Sequence, residues 1–149
     1  MQKIILILFL FFLNLPNYSY SKNDNFRTLR YDVVNLRQGP GRDYPIKIFY
    51  KKKFLPVLIL DNSDNFMKIK DHEDNSGWIH LSQLTKKKAA IVTGGDLIMF
   101  KSATIYSNPI AILKEGRLVK IEKCKNDWCK GKSGSFKGWI KKERLWGLF

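Results

Sequence analysis

The sequence predicts an all-β protein: two small β-barrels in tandem, following a cleaved signal peptide. Three observations point there. A pattern recurs 61 positions further on, short apolar runs alternate with turn clusters, and ten unbroken apolar residues stand near the start. The composition, 44% hydrophobic and 27% charged over 149 residues, is globular and argues against disorder.

Met1 to Ser21 reads as a secretory signal peptide. Lys3 supplies the positive start, Ile4 to Leu13 the apolar stretch, and Pro16 breaks it. Ser19 and Ser21 then place small residues three and one positions before a cut ahead of Lys22. A membrane span needs roughly 20 apolar residues; a short uncleaved anchor is the alternative. No cysteine lies near the cut, so a lipoprotein is not expected. Removing 21 residues leaves 128, and the loss of Lys3 takes the formal charge from +14 to +13.

The mature chain reads as a repeat. Gly77-Trp78-Ile79 returns as Gly138-Trp139-Ile140, and the same offset pairs Leu36 with Leu97, Val57 with Leu118 and Leu84 with Leu145. Asp64-Asn65-Phe66 answers Asn126-Asp127-Trp128 with a slip of one. Two units of about 60 residues follow, the first over 22–88 and the second over 89–149. The linker at Lys86 to Ala90 lacks Gly and Pro, which favours limited freedom between the units.

In the first unit Val34 and Leu36 alternate with polar residues up to the turn cluster Gly39-Pro40-Gly41. Strands are expected over 46–50, 57–60, 66–69 and 77–80, with turns at 61–65 and 71–76 and a single helical turn at 81–84. Strands at 97–100, 111–113, 118–124, 128–130 and 136–141 repeat the plan. Five short strands per unit point to a small barrel, because a closed sheet leaves no spare edge.

Cys124 and Cys129 bracket Lys125-Asn126-Asp127-Trp128, a hairpin-like loop that places them at its two mouths within disulfide reach. An exported chain meets oxidants, which favours that bridge. The alternative, a catalytic thiol, needs a nearby base, and both histidines, His72 and His80, lie in the other half.

Val34-Asn35-Leu36-Arg37-Gln38-Gly39-Pro40-Gly41 resembles the opening signature of bacterial SH3 domains. Tyr44-Pro45-Ile46, Leu55-Pro56-Val57 and Gly77-Trp78-Ile79-His80 follow in that family's order. The second copy ends on Asp127-Trp128-Cys129, Gly138-Trp139-Ile140 and Leu145-Trp146-Gly147. The set resembles exported proteins made of a signal peptide and two such domains, the second with a hairpin disulfide. Two departures stand out: Phe66 replaces the family's usual Trp, and Asp96 to Phe100 lacks the Asn-Leu-Arg opening. The resemblance implies SH3-like barrels and binding to cell-wall peptidoglycan or a periplasmic peptide or protein.

Asn35, Gly39, Pro40 and Gly41 are expected to shape a tight turn, the glycines by admitting positive backbone angles and Pro40 by fixing its own. Alternation sends Trp78 and Ile79 to opposite sides of the sheet. An outward Trp78 beside Tyr44 and Tyr50, with Arg37 of the signature, is the candidate ligand groove; packing of the two units is the other reading of Trp78.

Lysine runs at 51–53, 86–88 and 141–142 make the surface strongly basic. Solvated faces are the plain reading; an anionic envelope lipid or an acidic protein is the alternative partner. Nucleic acid is not expected for an exported chain, and membrane contact only through the signal peptide before cleavage. Asp71-His72-Glu73-Asp74 matches no calcium loop, so no metal or other cofactor is expected. No residues are spaced as a catalytic set, and the chain is read as a non-enzyme.

Overall fold

The computed structural model describes residues 25–148, so the signal peptide read at 1–21 lies outside the described residues. The chain is all-β, and no α-helix occurs among the described residues. One sheet contains β1 (Phe26–Leu29), β2 (Val34–Arg37), β3 (Ile46–Tyr50), β4 (Pro56–Ser63), β5 (Phe66–Lys70), β6 (Ser76–His80) and β7 (Leu84–Thr85), with a 3-10 turn at Leu81–Gln83. The other contains β8 (Ala89–Val92), β9 (Leu97–Phe100), β10 (Pro109–Leu113), β11 (Leu118–Lys125), β12 (Trp128–Ser133), β13 (Phe136–Lys141) and β14 (Leu145–Trp146).

The two strand orders are the same, β3-β2-β6-β5-β4-β1-β7 and β10-β9-β13-β12-β11-β8-β14. Each sheet curls around one core without closing by hydrogen bonds. The terminal strands, β3 and β7 or β10 and β14, remain edges, so the expected full closure is corrected. All of these strands pair antiparallel.

Register also corrects the repeat. Arg37 pairs with Trp78 and Phe100 with Trp139, an offset of 63 between Arg37 and Phe100. Ile59 pairs with Ile69 and Ile121 with Gly131, an offset of 62. Only from β6 onward is it 61, as Gly77 and Gly138 show. The first unit is one residue longer between Tyr50 and Phe54 and again between Asp71 and Asn75. Leu36 therefore corresponds to Met99, and Val57 to Val119.

The inward sides follow strand alternation. Leu29, Val34, Leu36, Val57, Ile69, Ile79 and Leu84 fill the first core. Ala90, Val92, Leu97, Met99, Val119, Cys129 and Ile140 fill the second. Cys124 and Cys129 are bonded, as expected. Their hairpin is tighter than a four-residue loop: Lys125 still pairs with Trp128, and Asn126 turns with φ 51°.

The supposed linker is shorter than expected, since its last two residues are strand. Ala89 and Ala90 are buried in β8, which leaves Lys86 to Lys88 between the sheets. Ile91, also of β8, packs into the first core, with Leu118 of β11 against it. Phe26 meets Trp146 edge to face at 5.0 Å, and the Thr28 hydroxyl donates to the Lys87 carbonyl at 2.8 Å. A Cβ on Gly147 would lie 2.5 Å from that of Pro56. The barrels are thus packed together, and an aromatic contact between them comes from Trp146.

Candidate binding site on the first barrel

Alternation along β2 turns Val34 and Leu36 inward and leaves Asn35 and Arg37 outward and half-buried. Along β6, Gly77 and Ile79 are buried, so Trp78 and His80 share the outer face. Arg37 and Trp78 are direct cross-strand partners, placing their side chains next to one another. The glycine of the Gly-Trp-Ile motif makes this possible. A Cβ on Gly77 would stand 2.6 Å from the Arg37 carbonyl oxygen and 2.8 Å from Leu36 Cγ, so only glycine lets β6 approach β2.

The loop after β2 is closed by Gln38 N–H donating to the Pro45 carbonyl at 3.0 Å, and Gly41 N–H to the Gly39 carbonyl at 2.9 Å. Neither Gly39 nor Gly41 has a positive φ, which corrects the expected reason for these glycines. The reason is the Tyr44 ring. A Cβ on Gly39 would fall 2.3 Å from a ring carbon, and one on Gly41 3.2 Å from another. Arg37 Nη1 donates to the Tyr44 carbonyl at 2.8 Å, tying the strand to the loop.

Tyr50 does not join this surface, and that expectation is corrected. It shares the parity of Ile46 and Ile48 in β3, is 8% exposed, and lies in the core. Its hydroxyl donates to Asp71 Oδ2 at 2.8 Å. Burial first, then that hydrogen bond and the Asp71 charge, push the phenol well above its usual range. Asp71 also accepts from the backbone N–H groups of Glu73 and Asn75 at 2.9 Å each, and so organises its own turn. No group of three or more His, Cys, Asp or Glu is placed to hold a metal among the described residues.

A groove of about 170 Å³ runs beside Arg37, lined by Asn35, Arg42, Phe66, His80, Ser82 and Gln83 as well. A broader depression of about 590 Å³, reaching Arg27, Arg30 and Leu81, shares His80 and Ser82 with it. No carboxylate lines either. Phe66 meets the His80 ring edge to face at 5.1 Å. Ser82 N–H donates to His80 Nδ1 at 3.2 Å, and the Ser82 hydroxyl oxygen lies 2.7 Å from the same nitrogen.

The structure therefore brings Asn35, Arg37, Tyr44 and Trp78 to one side of the barrel. It adds Arg42, Phe66, His80, Ser82 and Gln83, which the sequence reading did not select. Two residues from Trp78 on the same strand, His80 carried a readable signal. No ring contact or hydrogen bond joins Trp78 to the second barrel among the described residues.

In the second barrel Phe100 stands where Arg37 does, Trp128 where Phe66 does, and Lys141 where His80 does. There Phe100 and Trp128 pack edge to face at 5.7 Å, with Lys141 Nζ 6.0 Å from the Trp128 ring. The first barrel offers donors where the second has packed rings.

The family described as bacterial SH3 domain matches residues 30–86 and again 95–147. Among solved structures, NlpC2 and NlpC1 from Trichomonas vaginalis are each similar at 12% identity with a TM-score of 0.38. The matches cover 81% and 82% of this chain but only 47% and 45% of theirs, so it spans less than half their length. No curated protein matches.

Proposed function

This chain belongs to the bacterial SH3 domain family through two tandem copies, and on that premise we propose that it is an exported, non-enzymatic module that binds the peptide stems of cell-wall peptidoglycan. The observation that carries the reading is the carboxylate-free groove of the first barrel. Arg37 and Arg42 offer forked donors to a peptide carboxylate. Asn35 and Gln83 offer amides to its backbone, Phe66 supplies apolar surface in the groove, and Trp78 extends that surface beyond it, beside Arg37. The Cys124–Cys129 disulfide supports a location outside the reducing cytosol. Arg37 is already fixed by the Tyr44 carbonyl, so little ordering entropy is lost when a ligand arrives.

Co-sedimentation of the purified protein with peptidoglycan sacculi, at low salt and at about 0.5 M, tests this. That salt level shortens the screening length to a few ångströms. Pelleting is expected to persist at high salt and to fall about tenfold in Arg37→Ala, and several-fold in Trp78→Ala, with thermal melting preserved. Pelleting only at low salt, indifferent to both substitutions, would reduce the interaction to generic attraction by lysines.

A further inference from the structure

A second concave surface lies where the two barrels meet, and it shares no residue with the groove. It measures about 390 Å³ and is lined by Lys52 from the first barrel and Arg117, Leu118, Lys120, Lys132, Ser133 and Gly134 from the second. Four of the seven residues are cations, and none is a carboxylate.

What holds these cations is the informative part. Lys52 Nζ donates to the Gly116 carbonyl at 3.2 Å, and Arg117 Nε to the Ser133 hydroxyl at 3.1 Å. That hydroxyl is buried and donates in turn to the Leu118 carbonyl at 2.8 Å, which fixes its direction. Lys120 Nζ rests 4.5 Å from the Phe54 ring centroid, with Lys53 and Lys87 at 5.6 and 5.8 Å from the same ring. These anchors are carbonyls, a hydroxyl and a ring. They orient the cations and neutralise none of them.

The Lys132 side chain makes no hydrogen bond or ion pair among the described residues, yet it stands directly opposite Lys120 across β11 and β12. Like charges facing each other across a ladder are destabilising. The corresponding pair in the first barrel is Leu58 and Lys70, with a single charge. The second barrel thus concentrates repulsion at one cleft mouth, beside a positioned guanidinium fork.

We propose that this inter-barrel cleft binds a ligand carrying two phosphate groups, a pyrophosphate or bisphosphate. Arg117 takes one phosphate through its free fork, while Lys132, Lys120 and Lys52 act as point charges on both. A single carboxylate would leave most of this charge uncompensated; a diphosphate matches it. The inference is independent of the groove, and stands or falls without the peptidoglycan reading.

Titration calorimetry of the purified protein at fixed ionic strength, with pyrophosphate and with orthophosphate as probes, is the first arm. One pyrophosphate per chain is expected, bound about tenfold tighter than orthophosphate. Arg117→Gln should weaken it about tenfold, and Lys132→Gln about threefold. Lys68→Gln, which lies outside the cleft, should leave it unchanged. Since Lys132 has no partner here, its effect is not a folding defect. The second arm uses phosphatidylcholine vesicles with 10 mol% diacylglycerol pyrophosphate or 20 mol% phosphatidylglycerol. Binding selective for the pyrophosphate lipid that Lys132→Gln releases would place the two phosphates on a lipid surface and uphold the site. Binding in neither arm, or binding that Arg117→Gln and Lys132→Gln leave intact, would overturn it.

Discussion

Where the first barrel turns into β4 through Phe54, with φ 64°, the second turns into β11 through Gly116, with φ 77°. Both backbone N–H groups donate to the same place in the fold, the carbonyls of Leu29 and Val92. Glycine takes that conformation freely, whereas a side-chain-bearing residue gives up about 1–2 kcal/mol. The contrast continues inside. The first barrel buries Tyr50 against Asp71, and the second puts Leu113 and Ser133 at the matching positions. It continues outside, where Arg37, Phe66 and His80 are answered by Phe100, Trp128 and Lys141. One copy carries strain, a buried carboxylate and an open groove. The other has glycine, a buried serine in place of the carboxylate, and a disulfide. One strand order thus divides into a copy with an open groove and a copy braced by a disulfide.

The sharpest way to break that division is at Ile91, which belongs to the second sheet but fills the first core. Ile91→Ala should cost about 3 kcal/mol in denaturant unfolding. The transition should stay single when followed by fluorescence and by circular dichroism. Two separate transitions would show barrels that merely touch.

Next comes the covalent asymmetry. Cys124→Ser with Cys129→Ser should cost about 2 kcal/mol, the loop-closure value for so short a bridge. The equivalent hairpin at Asp64-Asn65 has none, so the loss measures what the second barrel gains by its bridge.

Tyr50→Phe removes a buried hydrogen bond to a carboxylate and should cost about 1–2 kcal/mol at neutral pH. The pH dependence gives its signature. Unfolded Tyr50 ionises near pH 10, whereas in the folded chain the phenol is held protonated to higher pH. Its contribution is therefore complete below about pH 10 and fades above it, by about 1.4 kcal/mol per pH unit. Urea titrations at pH 8 and 11 should show the gap between wild type and Tyr50→Phe closing as pH rises.

The smallest effect tests the turn itself. A Cβ on Gly116 would meet nothing within 4 Å, so Gly116→Ala isolates the backbone preference. About 1 kcal/mol is expected from thermal melting. No change would mean that Phe54 sits in the matching turn without strain.

Strands that alternate were readable. β2 and β6 each bury every other residue and show it in their letters. β8 was not, because Ala89, Ala90, Ile91 and Val92 are buried on both sides and lose the period-two signal. β7 and β14 are two residues long, too short for any periodicity, and β1 buries Thr28 and Leu29 side by side instead of alternating. Gly39 and Gly41 read correctly as a special loop, yet the special feature is an aromatic ring five or three residues on, which no turn rule encodes. Tyr50 was misplaced although its parity with Ile46 and Ile48 was available; the outward aromatic of β3 is Phe49, 59% exposed. Two of the seven groove residues, Asn35 and Arg37, were legible from the Asn-Leu-Arg signature. The rest come from the loop after β2, from β5, and from the end of β6 and its turn, which only the sheet order brings alongside β2.

The seat of Ile91 and Leu118 in the first core has a consequence in time. A ribosome completes β7 with that core still open on one side, and must add 33 more residues before Leu118 emerges. At the usual 5–20 residues per second this is a wait of roughly 2–7 s. During it the first barrel is the more vulnerable half, open to proteases and to foreign apolar segments, and it is sealed by a strand that serves two hydrophobic interiors at once.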